Sequence, residues 1–99
     1  MPLGRAQPLR RFLVADRSME PTLVEGQGLL TTAYGPAKPG QVRCFEHPAR
    51  PGFWLVKRVA KVHSDRMDLV SDNPAGADFA DVPVAGSYRV LITIPKRLM

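Results

Sequence analysis

Cysteine is nearly absent. Cys44 stands alone in 99 residues, so no internal disulfide can form, and a lone thiol fits a reducing compartment. Long apolar runs are absent too: the longest, Phe12-Leu13-Val14-Ala15 and Phe53-Trp54-Leu55-Val56, have four residues. A membrane-crossing helix needs about 20 apolar residues and a secretory leader an apolar stretch of about 7–15. The expectation is a soluble, cytoplasmic chain. Aromatic residues make up only 7% and are scattered, without the interleaved basic and aromatic pattern of a nucleic-acid face. No long stretch carries the roughly 3.6-residue period of a helix, and no repeat or low-complexity segment is visible.

Charge is present in excess but not in the middle. The formal net charge is +5. Arg5, Arg10, Arg11 and Arg17 stand against Asp16 near the start, and Lys96 and Arg97 close the chain. Between them, eight basic residues balance eight acidic ones. The arginines therefore read as a solvated arm rather than a binding face. No specific nucleic-acid partner is expected, and an anionic membrane surface is a weak partner suited to the arm. Residues 1–9, with Pro2, Gly4 and Pro8, read as that flexible arm, and 10–99 as a single domain that buries about 65% of its unfolded surface.

Ten prolines and eight glycines favour turns and short strands over helices. Strands are predicted over 11–15, 28–34, 41–46, 53–62, 67–70 and 87–94, with a helical turn begun by Pro21 and a turn-rich connection over 72–83. Six or so short strands joined by Gly/Pro turns predict an all-β domain, a small and mostly antiparallel barrel or sandwich.

Two residues carry the chemical interest. Ser18 follows a predicted strand within Arg17-Ser18-Met19-Glu20-Pro21. A serine at such a junction exposes its hydroxyl where neighbouring backbone N–H groups converge, the arrangement of an oxyanion hole. Taken alone, the local sequence favours a helix N-cap, although Pro21 stands where a capping box wants Glu or Gln. Lys57 lies in the strongest predicted strand, between Leu55 and Val59 on one face. A lysine among apolar side chains has its pKa lowered by desolvation, and a neutral lysine can take a proton from a serine hydroxyl. Taken alone, Lys57 reads as a side chain that snorkels to solvent.

Other motifs carry less. Ser71-Asp72-Asn73 matches one β-lactamase motif, but its companions are missing. Cys44 and His47 are spaced like metal ligands, with His63 further on, yet a structural zinc site needs a second close pair. No metal and no cofactor is expected. Neither histidine has an acidic neighbour that suggests a Ser-His-Asp triad, and His63 stays a minor candidate base.

Taken together, Ser18-Met19-Glu20-Pro21-Thr22-Leu23, Val56-Lys57-Arg58-Val59 and Ser71-Asp72-Asn73-Pro74 resemble, in order and spacing, the boxes of the type I signal peptidase family. Related Ser–Lys enzymes include the self-cleaving LexA-type repressors, and the chain looks most like the small anchorless nickel superoxide dismutase maturation proteases. The resemblance spans about 12–94. It implies a serine endopeptidase of the signal peptidase and LexA fold type, with Ser18 as nucleophile and Lys57 as general base. It further implies Arg58 and Asp72 as supports, and an extended peptide bound beside Ser18, Met19, Val14 and Leu55 by β-augmentation.

The chain departs from that pattern in four places. Gln27 follows Gly26 where the family has aspartate, and Ser71 replaces a glycine. No hydroxyl lies between Asn73 and Ser87, so the group that orients the lysine is expected to be missing. Asp16 stands where an oxyanion donor is expected; a carboxylate would repel the oxyanion, so it is expected to point away. These departures keep two alternatives open, a catalytically weak peptide-binding module and a basic-armed nucleic-acid or membrane adaptor.

Overall fold

Alternating apolar and polar residues, cut by glycine and proline, give seven strands in the computed structural model, which describes residues 9–98. They are β1 (Leu9–Leu13), β2 (Gly28–Thr32), β3 (Val42–Glu46), β4 (Trp54–His63), β5 (Arg66–Val70), β6 (Phe79–Pro83) and β7 (Tyr88–Ile94). A single 3-10 turn, Lys96–Leu98, follows. All pairings are antiparallel in the order β1-β2-β7-β3-β4-β5-β6. The class is all-β, as expected, and within it one continuous sheet curls into a half-barrel.

The pleat sends successive side chains to opposite faces, and each face has its own core. One gathers Val14, Met19, Leu23, Leu29, Cys44 and Tyr88, with Phe12, Trp54 and Val56 packed against it. The other gathers Phe45, Val59, Met67, Leu69 and Val82, with Leu55 and Phe79. Burying each of these large side chains stabilises the fold by roughly 1.5–3 kcal/mol. Phe12 meets Trp54 at 5.2 Å between ring centroids. This contact between β1 and β4, strands that do not pair, marks the curl that brings β1 back toward β4.

The arm assigned to residues 1–9 lies outside the described residues except for Leu9, which opens β1. Arg10 is not a solvated arm residue. Its guanidinium sits 4.5 Å from the Trp54 ring and 4.7 Å from that of Phe12, a cation–π arrangement. The first strand runs over Leu9–Leu13 rather than 11–15, and residues 18–22 form turns, not a helix. The region read as a turn-rich connection contains β6. Its proline hid it: Pro83 is tolerated because β6 is an edge strand. Among the described residues, no helix is long and apolar enough to cross a membrane.

Candidate functional site

The β1–β2 connection carries Ser18, and three contacts from the segment after β5 hold it. Asn73 N–H donates to Ser18 O at 2.8 Å, Asn73 Nδ2 donates to Arg17 O at 2.9 Å, and Asp72 N–H meets Met19 Sδ at 3.4 Å. Met19 is 0% exposed and anchors the turn in the core. Asp72 ties this region to β4, accepting from Arg58 Nε and Nη2, each at 2.8 Å. Thr22 Oγ1 donates to the same carboxylate at 2.6 Å. The Arg58 hydrogen bonds hold the Asp72 carboxyl below the usual carboxylate range.

Lys57 is 2% exposed. Burial pushes its pKa down, against the opposing pull of the Asp16 and Asp78 carboxylates. Its Nζ donates to Ser71 Oγ at 2.8 Å, and Ser71 Oγ in turn donates to Ala77 O at 2.7 Å. Because the single Ser71 proton goes to Ala77, this hydroxyl can only accept from Lys57. A neutral Lys57 therefore keeps its lone pair free for another proton. The expected absence of a lysine-orienting hydroxyl is corrected here: Ser71 supplies it from the position where the resembled family has glycine.

Ser18 and Lys57 line one open cleft of about 580 Å³, with Asp16, His47, Leu55 and Phe79 among its walls. Gly76 fits between the two serines. A methyl group there would lie 2.6 Å from Ser71 Cβ and 3.0 Å from Ser18 Cβ, so only glycine lets this backbone close over the pair. Asp16 does not point away. Its Oδ1 accepts from Ser18 Oγ at 3.0 Å and from Ser18 N–H at 3.1 Å.

The remaining expected residues fall as follows. Leu55 lines the cleft. Val14 is 2% exposed, and its N–H and C=O are both used in the β1–β2 turn, with Gln27 and Gly26. Val14 thus walls a small hollow rather than offering a free backbone group. That hollow, about 60 Å³, lies between β1 and β4, with Leu29 and Cys44 also lining it. His63 is not in the cleft and pairs with Asp68 at 3.2 Å; His47 is the histidine that lines it. Sequence reasoning missed Ser71, Gly76 and His47.

Two strand edges face this region. β4 pairs with β3 through Trp54–Arg58 and with β5 only from Arg58 onward. Val59 turns both backbone groups toward the β3 side, to Gly40 and Gln41, so by the two-residue period those of Trp54 and Val56 face the open edge. On β1, which among the described residues pairs with β2 alone, the same count from Val14 leaves Arg11 and Leu13 facing outward. A comparison of the chain with protein-family models, with curated proteins and with solved structures finds no match.

Proposed function

We propose that this chain is a serine endopeptidase with a Ser18–Lys57 dyad that cuts an extended peptide segment. The observation that carries the reading is a buried lysine, 2% exposed, whose only hydrogen-bond partner among the described residues, Ser71, leaves its lone pair free in the cleft that holds Ser18. Ser18 Oγ attacks the scissile carbonyl while Lys57 Nζ takes its proton, and the resulting ammonium protonates the leaving amine. Water then attacks the acyl-enzyme with Lys57 again as base. Backbone N–H groups of the Ser18 turn receive the oxyanion, so the Asp16 carboxylate must leave Ser18 N–H first. The substrate lies as a strand between the open edges of β1 and β4. The chain acts as a member of the signal peptidase and LexA-type superfamily, on a propeptide or signal-like segment.

One observation favours a second reading, a peptide-binding module that does not cut. Asp16 engages both the hydroxyl and the N–H of Ser18. A mixed library of internally quenched peptides separates the two. The peptidase cleaves members of the library, Ser18→Ala and Lys57→Met each abolish cleavage, and the double variant is no worse than either single one. Full activity in either single variant sinks the dyad; peptides bound by the parent chain without any cleavage establish the second reading.

A further inference from the structure

The sheet face that carries Lys57 holds another group of charges that peptidase chemistry does not use. Arg43 on β3 stands directly opposite Lys57 on β4 and opposite Arg89 on β7, so the three cations form a row on one face. Arg43 is 1% exposed. Its Nε donates to Ser87 Oγ at 2.9 Å and its Nη1 to Gln41 Oε1 at 3.0 Å, both neutral acceptors. Arg89 Nε is buried and has no partner among the described residues. The four ion pairs among the described residues use Arg17, Arg58, His63 and Arg66, leaving Arg43 and Arg89 without a carboxylate. Burial, and then the nearby Arg89 charge, push the Arg43 pKa down.

Buried charges are ordinarily paired, because an unpaired ion keeps its full desolvation penalty. Here two neighbouring guanidinium groups share that penalty and repel each other. A cavity of about 290 Å³ adjoins Arg43, lined also by Tyr34, Gly35, Gly86 and Ser87 and, among the described residues, by no acidic one. Arg89 does not line it but comes close to its wall: a methyl group on Gly35, a lining residue, would lie 3.9 Å from Arg89 Nη2.

We propose that Arg43 and Arg89 form a binding site for a small phosphate-class oxyanion, inorganic phosphate or a small phosphomonoester. A phosphate group carries about −1.5 to −2 near neutral pH and several acceptor oxygens, matching two arginines, and the guanidinium fork suits its geometry. A carboxylate would leave one of the two charges uncompensated. The site is separate from the Ser18 cleft and does not rest on the peptidase reading.

Calorimetric and ³¹P NMR titrations at matched ionic strength test it, with inorganic phosphate and phenyl phosphate as probes and acetate and chloride as controls. Saturable phosphate binding is expected, at least about tenfold tighter than acetate, the scale of one charge-assisted hydrogen bond. Arg89→Met, at a half-buried position, should weaken it by at least about tenfold. Arg43→Met should abolish it; should that variant not fold, Arg89→Met decides alone. Tighter binding of phenyl phosphate than of inorganic phosphate points to a phosphomonoester, and the reverse to free phosphate. Absence of saturable binding at millimolar phosphate, acetate binding as tight as phosphate, or unchanged affinity in Arg89→Met overturns the proposal.

Discussion

Gly76→Ala is the smallest change that reaches both serines of the cleft. Its added methyl would lie 2.6 Å from Ser71 Cβ and 3.0 Å from Ser18 Cβ, and nearer still to Ser71 Oγ, where carbon atoms prefer about 3.5–4.0 Å. Roughly 1 Å must therefore be made up by movement. The Ser71 hydroxyl cannot yield freely, since it holds both Lys57 and Ala77. The Ser18 turn cannot either, since Asn73 clamps it. Overpacking of this kind costs about 1–3 kcal/mol, offset by about 0.4–1 kcal/mol from a stiffer unfolded chain. A net loss of about 1–2 kcal/mol is expected, and each 1 kcal/mol lowers Tm by roughly 4–8 °C in a domain of this size.

Displacement of a reacting or positioning group by about 1 Å costs on the order of 10²-fold in rate. Cleavage of the best library peptide should therefore fall in kcat with KM little changed. A double-mutant cycle with Ser71→Gly isolates the cause. Removing the Ser71 hydroxymethyl group removes the main clash, so the double variant should be more stable than the two single losses predict. Urea melts of the four proteins measure this directly. A Gly76→Ala chain that melts and cuts like the parent, or a cycle that adds up, would refute the packing argument.

Two further predictions concern charge. The pKa of Lys57 is lowered in the folded chain by burial, so holding its proton costs the native state more than the unfolded chain, a penalty fully present below the folded pKa. Lys57→Met should then be more stable than the parent near neutrality, on the order of 1 kcal/mol. The advantage should shrink as pH rises through the folded pKa toward the ordinary lysine range, where only the unfolded chain holds the proton. Cleavage by the parent should rise over the same interval, and equal urea melts of variant and parent at neutral pH would mean a solvated lysine. Asp72 behaves oppositely: its carboxyl is lowered by the Arg58 hydrogen bonds, so its stabilisation is present at neutral pH and lost as pH falls below the ordinary aspartate value through the folded one. Asp72→Asn should cost about 1–2 kcal/mol at neutral pH, with the gap to the parent closing in acid; a gap independent of pH would show that the Arg58–Asp72 pair does not act through charge.

The strand positions were largely legible because alternation and turn residues act locally. Phe53-Trp54-Leu55-Val56 and the β-branched residues after it predict β4 with an error of one residue at each end. β6 was not legible, since Ala80, Asp81 and Pro83 give it the composition of a loop, and only its neighbour β5 makes it a strand. The buried arginines were equally hidden. Arg43 alternates with apolar neighbours as an outward-facing residue would, and only the curled sheet decides that it is covered.

The candidate site divides in the same way. Ser18, Lys57, Arg58 and Asp72 are singled out through the resemblance of three short sequence boxes to a known family; taken alone, Ser18 reads as a helix cap and Lys57 as a solvated lysine. Ser71 is not singled out, and the reason is one residue in β4. His63 pairs with Arg66, Val62 with Met67 and Lys61 with Asp68, a register that would set Asp72 opposite Lys57. The bulge between Val59 and Lys61 shifts the ladder, so that Arg58 meets Val70 and Ser71, not Asp72, comes level with the lysine. A bulge places two residues against one and re-aims everything beyond it. The sequence alone determined an all-β chain with a serine turn and a lysine strand. Which hydroxyl holds that lysine, and that Asp16 turns onto Ser18, were decided by strand register and packing between segments far apart in the chain.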